Sequence, residues 1–213
     1  MSWRLAKEQA VAIPVPGEDV VLEGTWQAAP GPGGGVVAPA HPLYGGSMGH
    51  PVVCEVSHAM HRRGVSSLRF NWRGVGASQG TPSDSIDDAL RDYHAGLAHV
   101  AHSVEGPLLV AGYSYGAAVA LRIAQQERRI RGVLLVAPPT RMLLSIDLSA
   151  WQGPLLVIAG SRDPLAPPEA LFRQLRDLGA AELRVIDGAD HFFQEQLGSL
   201  AEVLDVAWLQ RST

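Results

Sequence analysis

Short apolar runs alternate with longer segments of helical period, and this alternation constrains the fold more than any other feature of the chain. The runs at 107–112, 131–137 and 154–160 are apolar at nearly every position, and each precedes a longer segment in which helix is predicted or the pattern is irregular. Strands that are apolar throughout are buried on both faces, as in parallel sheets covered by helices. The segments 11–15 and 20–26 predict an opening antiparallel hairpin. We therefore predict an α/β fold with a mostly parallel sheet and helices on both faces.

The rest of the chain is assigned in the same way. The Gly/Pro-rich stretch 29–35 is predicted to be a loop, and Ser83 or Asp84 is predicted to cap the helix at 83–103. With 213 residues, of which 46% are hydrophobic, the chain can bury a full core and is short enough for one domain, so residues 1–213 are predicted to form a single domain. Further strands are predicted at 36–40, 65–70 and 181–187, and helices at 51–64, 83–103 and 115–126, from about 168, and from about 194 to 211.

Charge and cysteine content exclude several classes of partner. The net charge of −4 leaves no basic surplus to neutralise nucleic acid or an anionic membrane. Cys54 is the only cysteine, so no intrachain disulfide can form; it is interpreted as a small buried hydrophobe in a reducing compartment. The first twenty residues lack the apolar core of a signal peptide, and no run reaches the roughly 18 apolar residues of a spanning helix. We expect a cytoplasmic protein without a membrane or nucleic-acid partner.

The pattern Gly-x-Ser-x-Gly, which often surrounds a nucleophilic serine, occurs three times, at Ser47, Ser78 and Ser114. A nucleophile elbow needs a strand that ends directly before the serine and a helix that starts directly after it, because the sharp turn lifts the hydroxyl clear of the sheet. Only Ser114 meets this requirement, between LLVAG and YGAAVALRIA. Ser47 is predicted to lie in a loop before a helix that opens at Pro51, and Ser78 in a turn. We predict that Ser114 is the nucleophile.

A serine hydroxyl needs a histidine base and a carboxylate that orients the base. In an α/β sheet these partners lie in loops at the carboxyl ends of later strands. Asp163 follows the run PLLVIAG, and His191 follows the run AELRVID. Asp190 and Asp187 are alternatives to Asp163, although Asp190 adjoins the histidine and a sequence neighbour rarely reaches the ring nitrogen from behind. The predicted catalytic residues are Ser114, Asp163 and His191.

Negative charge that develops on a substrate oxygen needs hydrogen-bond donors. One predicted donor is the backbone N–H of Tyr115, directly after the nucleophile and at the start of a helix. The second is predicted in HPLYGGS, residues 41–47, whose glycines allow close approach of the backbone. Leu43 is the predicted second donor, and Tyr44 is the alternative.

Two motifs, HPLYGGSM at 41–48 and FNWRGVGASQG at 70–80, resemble those of the α/β-hydrolase superfamily, in its branch of small lidless bacterial proteins similar to carboxylesterases and dienelactone hydrolases. The resemblance extends over essentially the whole chain. It implies an eight-stranded sheet and again a Ser114-Asp163-His191 triad. It also implies that NWRGVGAS matches the more widespread Asp-x-Arg-Gly-x-Gly-x-Ser turn, here with Asn71 in place of the usual aspartate, and the cysteine nucleophile of true dienelactone hydrolases is absent.

The segment 138–153 has room for one short helix, so no cap domain and a shallow pocket are predicted. We expect two-step hydrolysis of short-chain, uncharged carboxylic esters through an acyl-enzyme on Ser114, without a cofactor. A thioesterase or another acyl hydrolase with the same residues is the alternative, followed by a non-catalytic binding protein of this fold. Apolar residues expected to contact the substrate are Tyr44, Trp72, Tyr113, Tyr115, Met142, Leu143 and Phe192.

No metal site is predicted. His58 and His61, and likewise His99 and His102, are spaced to share a helix face, but neither pair has a carboxylate or third ligand in a suitable position. The acidic cluster at 84–88 is interpreted as first-turn residues that favour the helix dipole.

Overall fold

A computed structural model describes residues 8–207 of the chain. Eight strands and six helices alternate along this part of it, as the apolar runs predicted. The strands are β1 (Gln9–Pro14), β2 (Val21–Gln27), β3 (Gly34–Ala38), β4 (Ser66–Phe70), β5 (Leu108–Tyr113), β6 (Ile130–Val136), β7 (Leu155–Gly160) and β8 (Ala181–Ile186); the helices are α1 (Pro51–Arg62), α2 (Ile86–Ser103), α3 (Tyr115–Ala124), α4 (Thr140–Leu143), α5 (Pro168–Leu175) and α6 (Leu197–Ala207).

The strands form one sheet in the order β1-β2-β4-β3-β5-β6-β7-β8. β2 pairs antiparallel with both β1 and β4, and every pair from β4 to β8 is parallel. The central strands β3, β4, β5 and β7 are buried at every position, and β6 at every position except Arg131, because helices cover both faces of the sheet. Since the strands from β3 to β8 run in one direction, their carboxyl ends share one edge, and the loops that leave this edge lie side by side.

Two boundaries differ from the prediction for identifiable reasons. β3 begins at Gly34, inside the glycine run predicted as a loop, because Gly34 already pairs with both β4 and β5. Glycine suits this position because a Cβ there would meet Val100 of α2 at 2.7 Å. The N-cap of α2 is Ser85, not Ser83 or Asp84. Ser83 Oγ instead accepts a bond from the Ser85 amide and donates to Asp88, so it holds a turn ahead of the helix.

The segment between β6 and β7 contains only α4 and a 3-10 turn at Leu148–Ala150, and the described residues form no cap domain. No helix within residues 8–207 is long and apolar enough to cross a bilayer. The predicted extension of the last helix to residue 211 lies outside the described residues.

Candidate active site

The turn at Ser114 has the geometry predicted for a nucleophile elbow. β5 ends at Tyr113, α3 begins at Tyr115, and Ser114 between them has φ 55° and ψ −117°, a conformation that L residues rarely adopt. The two flanking glycines are required by close backbone contacts: a Cβ at Gly112 would meet the Gly116 carbonyl oxygen at 2.1 Å, and one at Gly116 would meet Pro39 O at 2.4 Å. The strained turn therefore raises the Ser114 hydroxyl at the carboxyl edge of the sheet.

Three side chains from three loops of this edge form a continuous hydrogen-bonded chain. His191 Nε2 lies 2.9 Å from Ser114 Oγ, and His191 Nδ1 lies 2.7 Å from Asp163 Oδ2. A carboxylate accepts only, so Nδ1–H donates to Asp163, and in the neutral imidazole Nε2 is left to accept the serine proton. All three side chains are nearly buried, with exposed fractions of 8% for Ser114, 3% for Asp163 and 6% for His191. The structure thus brings together the three predicted catalytic residues.

The two alternative acids have other partners. Asp190 Oδ1 accepts hydrogen bonds from the amides of Phe192 and Phe193, at 2.9 and 3.0 Å, and so shapes the loop that carries His191. Asp187 accepts a bond from the Ser161 hydroxyl at 3.1 Å. Among these acids the His191 ring is bonded to Asp163.

The loop between β3 and α1, residues 41–50, passes beside Ser114. The His41 ring packs edge-on against the Tyr115 ring, with centroids 4.5 Å apart, and the His50 ring stacks on Tyr113 at 4.7 Å. We name this segment the 41–50 loop. It borders the elbow and contains both predicted second donors.

The amides of Leu43 and Tyr44 are already engaged within this loop. Leu43 N donates to His41 Nδ1 at 3.2 Å, and Tyr44 N donates to His41 O at 3.1 Å. The acceptor of Leu43 is a side chain that can rotate away, whereas the acceptor of Tyr44 is a main-chain carbonyl fixed in the turn. Leu43 is therefore the amide that can be released more easily. Tyr115, at the first position of α3, has an N–H without an intrahelical partner, as expected at a helix start.

Burial and acidic neighbours define the electrostatics near the elbow. Desolvation by burial, followed by the nearby carboxylates Asp84, Asp92 and Asp88, raises the pKa of Tyr115 to about 12. Burial also lowers the pKa of His41, with Asp84 opposing it, and burial followed by the nearby His191 lowers the pKa of His50. Burial therefore favours the neutral phenol of Tyr115 and neutral imidazoles in the 41–50 loop.

Three of the residues predicted to contact the substrate are almost fully buried, and their contact with it stays a prediction. Trp72, Tyr113 and Leu143 are each 1% exposed. Trp72 Nε1 donates to Ala40 O at 2.9 Å, and Tyr113 Oη donates to His191 O at 3.0 Å. Both side chains thus support the loops around the elbow from beneath.

The other predicted contact residues differ in exposure. Tyr115 is only 4% exposed, whereas Phe192 is 53% and Tyr44 87% exposed, and Met142 is half-buried.

Leu144 and Leu165, which were not identified in the sequence analysis, are exposed in the loops after β6 and β7. Within residues 8–207, five of the seven exposed large apolar side chains lie in loops at the carboxyl edge, namely Leu43, Tyr44, Leu144, Leu165 and Phe192. We name these five residues the apolar rim.

The serines of the other two motifs have no histidine partner of this kind. Ser47 lies in the 41–50 loop, before α1 opens at Pro51 as predicted. Ser78 lies in the turn after β4, where its hydroxyl accepts from Glu23 N and donates to Asn71 O, both at 2.9 Å. His50, which caps α1 and stacks on Tyr113 beside the elbow, was not identified in the sequence analysis. Its position directly before Pro51 indicates the capping role, because a residue before a helix-opening proline often caps the helix.

Within residues 8–207 no group of three or more potential ligands is arranged to hold a metal ion.

Comparisons with known proteins agree with this architecture. A family model described as an alpha/beta hydrolase domain matches residues 37–206. The structure is similar to an α/β serine hydrolase homologue from Coxiella burnetii, with a TM-score of 0.82, 29% identity and coverage of 92% of this chain and 95% of that one. It is also similar to an α/β serine hydrolase without a lid from Xanthomonas campestris, with a TM-score of 0.80, 29% identity and coverage of 93% of this chain and 92% of that one. A protein of Rickettsia prowazekii is 25% identical over 86% of this chain and 82% of its own length.

Proposed function

Because the chain belongs to the α/β-hydrolase family, in its lidless esterase-like branch, we propose that this hydrolase cleaves short-chain, uncharged carboxylic esters through an acyl-enzyme on Ser114. The observation that carries the proposal is the hydrogen-bonded chain from Ser114 through His191 to Asp163 on a strained turn. This arrangement combines an activated nucleophile, a base and a group that orients the base.

In the proposed reaction, Ser114 Oγ attacks the ester carbonyl carbon while its proton passes to His191 Nε2. The resulting oxyanion accepts hydrogen bonds from the amides of Tyr115 and Leu43, the latter after it leaves His41 Nδ1. Collapse of this intermediate breaks the bond to the alcohol oxygen, which takes the proton from His191. Water, activated by His191, then attacks the acyl-enzyme, releases the carboxylic acid and restores Ser114.

The surroundings of the site support an uncharged ester over an anionic substrate. The apolar rim offers alkyl and aromatic contacts at the mouth of the site. Asp84 raises the pKa values of both His41 and Tyr115, although burial is the larger cause of each shift, so a negative charge lies near this part of the site. A thioester of a polyphosphorylated carrier such as coenzyme A would bring several negative charges to this surface, and we therefore rank it second.

Labelling with a fluorophosphonate and intact mass measurement tests the nucleophile. We expect the wild-type protein to gain one phosphonyl group as Ser114 Oγ displaces fluoride, and Ser114→Ala to gain none. Ser47→Ala and Ser78→Ala, which change the other two motifs, are the matched controls and should still be labelled. An adduct on Ser114→Ala, or none on the folded wild type, would refute the assignment; the latter result would favour a non-catalytic binding protein.

A substrate panel tests the acyl and leaving groups. Neutral esters graded in acyl length should be hydrolysed best when the acyl chain is short, because each methylene contributes about 0.8 kcal/mol only while it is buried. The same short acyl group presented as a coenzyme A thioester should have a lower kcat/KM. A preference for the thioester would make the chain a thioesterase.

A further inference from the structure

The side chain of Asn71 connects the turn after β4 to the 41–50 loop. Asn71 directly follows β4 and is 4% exposed. Its Oδ1 accepts a hydrogen bond from Met48 N at 2.7 Å, and its Nδ2 donates to Glu23 Oε2 at 2.7 Å. Both ends of this amide are therefore used by partners that lie 23 and 48 residues away in the sequence.

The partners determine which way the amide must point. A main-chain N–H such as that of Met48 only donates, and the carboxylate of Glu23 only accepts. Aspartate at position 71 could accept from Met48, but its second oxygen would then lie against the Glu23 carboxylate without a proton between them. An asparagine therefore fits this position where an ionised aspartate does not.

Met48 itself is held from several directions. Its carbonyl oxygen accepts from Arg69 Nη1 at 3.1 Å and from Cys54 Sγ at 3.7 Å. Hydrogen bonds inside the loop, Gly46 N to His41 O at 3.0 Å and His50 N to Ser47 O at 3.1 Å, connect this fixed point to the residues beside the elbow.

The residue after Asn71 holds the opposite end of the same loop. Trp72 Nε1 donates to Ala40 O at 2.9 Å, directly before His41. Two consecutive residues at the end of β4 thus fasten the loop at Ala40 and at Met48, on either side of Leu43. The motifs at 41–48 and 70–80 are parts of one structural unit.

We propose that Asn71 is a positioning residue, which together with Trp72 fixes the 41–50 loop so that a backbone N–H of this loop can stabilise the oxyanion. This inference rests on the proposed function, since it gives the loop a role only if an oxyanion forms at Ser114. It assigns a role to the Asn71–Glu23 pair, whose hydrogen bonds do not involve Ser114, Asp163 or His191.

Exchange of the Asn71 amide and the Glu23 carboxylate between the two positions tests the proposal. Asn71→Asp, measured on a neutral short-chain ester, should lower kcat by about 10- to 100-fold with KM within about threefold, because a displaced donor weakens transition-state binding. The double variant Asn71→Asp, Glu23→Gln has an amide at position 23 that can donate to the carboxylate at position 71. It should restore kcat to within about threefold of the wild type. Ala77 N, which shares Glu23 Oε2 at 2.9 Å, is exposed and can turn to water.

The pH dependence separates positioning from general damage. In Asn71→Asp the two carboxyl groups can share a proton at low pH, so the ratio of mutant to wild-type kcat should rise as the pH falls, whereas the ratio for the double variant should stay flat. Burial raises the pKa of Cys54, the thiol that donates to Met48 O. The charged groups beside it, Arg69, Glu8 and Glu55, are common to all the variants, so their effect cancels in these ratios.

Gln79→Ala is the matched control. Gln79 Oε1 accepts from Val21 N at 3.1 Å, so this variant disturbs the same turn and strand without a contact to the 41–50 loop. It should lower the melting temperature and leave kcat unchanged. Wild-type kcat in Asn71→Asp, or a loss that Glu23→Gln does not repair in folded protein, would overturn the proposal.

Two further measurements keep the test decisive. If Asn71→Asp does not fold, Trp72→Phe removes the donor to Ala40 while it keeps an aromatic ring, and an unchanged kcat in that folded variant would overturn the proposal. Fluorophosphonate labelling of the wild type is done in parallel. Absence of an adduct on the wild type would refute the proposed function, whereas an adduct together with unchanged kcat in the loop variants would refute only the role of Asn71 and Trp72.

Discussion

At the scale of single residues, the two carboxylate oxygens of Asp163 have different partners. Oδ1 accepts from the amides of Leu165 and Ala166, at 2.8 and 3.0 Å, and Oδ2 faces His191 Nδ1. In Asp163→Asn the two amides would keep the remaining oxygen at the Oδ1 position. The new NH₂ group would then donate to Nδ1, and the imidazole would present Nε2–H to Ser114, which is the wrong tautomer for a base.

We therefore expect Asp163→Asn to lower kcat for ester hydrolysis by about 10⁴-fold, the loss typical of such a tautomer change. The melting temperature should change little, because the loop keeps its two amide bonds. Asp190→Asn is the control, since Asp190 bonds two amides of the His191 loop through one oxygen and does not contact the His191 ring in the structure; it should retain most of the activity. Equal losses in the two variants would contradict this assignment.

At the scale of elements, the start of α1 depends on the charge state of one histidine. His50 is the N-cap, and its Nδ1 accepts from Val52 N at 3.3 Å, which only the unprotonated nitrogen can do. Burial, followed by the nearby His191, lowers the pKa of His50 below its ordinary value of 6.5. The unfolded chain therefore takes up a proton at a higher pH than the folded one, so this contribution to stability is lost as the pH falls below about 6.5.

His50→Asn should make the free energy of unfolding less sensitive to acid. Asparagine also caps helices but does not titrate, so the variant should be nearly as stable as the wild type at about pH 7.5 and should lose less stability at about pH 5. Burial also lowers the pKa values of His41 and His99, so some dependence remains in both proteins. Urea unfolding at several pH values measures the difference; parallel curves would show that His50 does not contribute.

At the scale of the whole molecule, Arg73 joins three parts of the fold. Its guanidinium bonds Asp92 of α2 at 2.7 Å and Glu18, between β1 and β2, at 2.8 Å. Asp92 is 1% exposed, and burial raises its pKa while the bonds to Arg73 oppose the rise. Removal of the arginine would leave a buried carboxylate without its counter-ion.

Arg73→Ala should therefore destabilise the protein by about 3–5 kcal/mol near neutral pH. The loss should shrink in acid, where Asp92 takes up a proton. Arg91→Ala is the comparison, since Arg91 also pairs with Glu18 and Asp88 but is half exposed, and should cost less than about 1 kcal/mol. Chemical denaturation of both variants measures the two values, and a similar cost for each would show that burial of the ion pair is unimportant.

The absence of a cap in the described chain leads to a prediction about interfaces. Lidded lipases gain activity at an oil surface because the surface opens the lid, and the segment between β6 and β7 has only α4 and a 3-10 turn. The rate of ester hydrolysis should therefore not jump as the substrate passes its solubility limit. Rates measured on either side of that limit test this, and a jump would indicate that another segment closes over the apolar rim.

The sequence by itself determined the element types and the elbow. Apolar runs without alternation require burial on both faces, which predicted the parallel sheet, and a serine with no spare residue between strand and helix predicted the strained turn at Ser114. Parallel strands end at one edge, so residues that follow β5, β7 and β8 were expected to meet there. These inferences succeeded because they depend on local periodicity and on strand direction.

Only the tertiary structure decided which of the nearby groups touch. Ser114 and His191 are 77 residues apart, and Asp163 rather than Asp190 accepts from the ring. Trp72 and Tyr113, which were predicted to contact the substrate, lie buried and donate hydrogen bonds to the loops around the elbow, while the amide of Leu43 is bonded to His41. Side-chain direction and hydrogen-bond partners between distant segments depend on how helices and loops pack on the sheet, and local periodicity does not specify that packing.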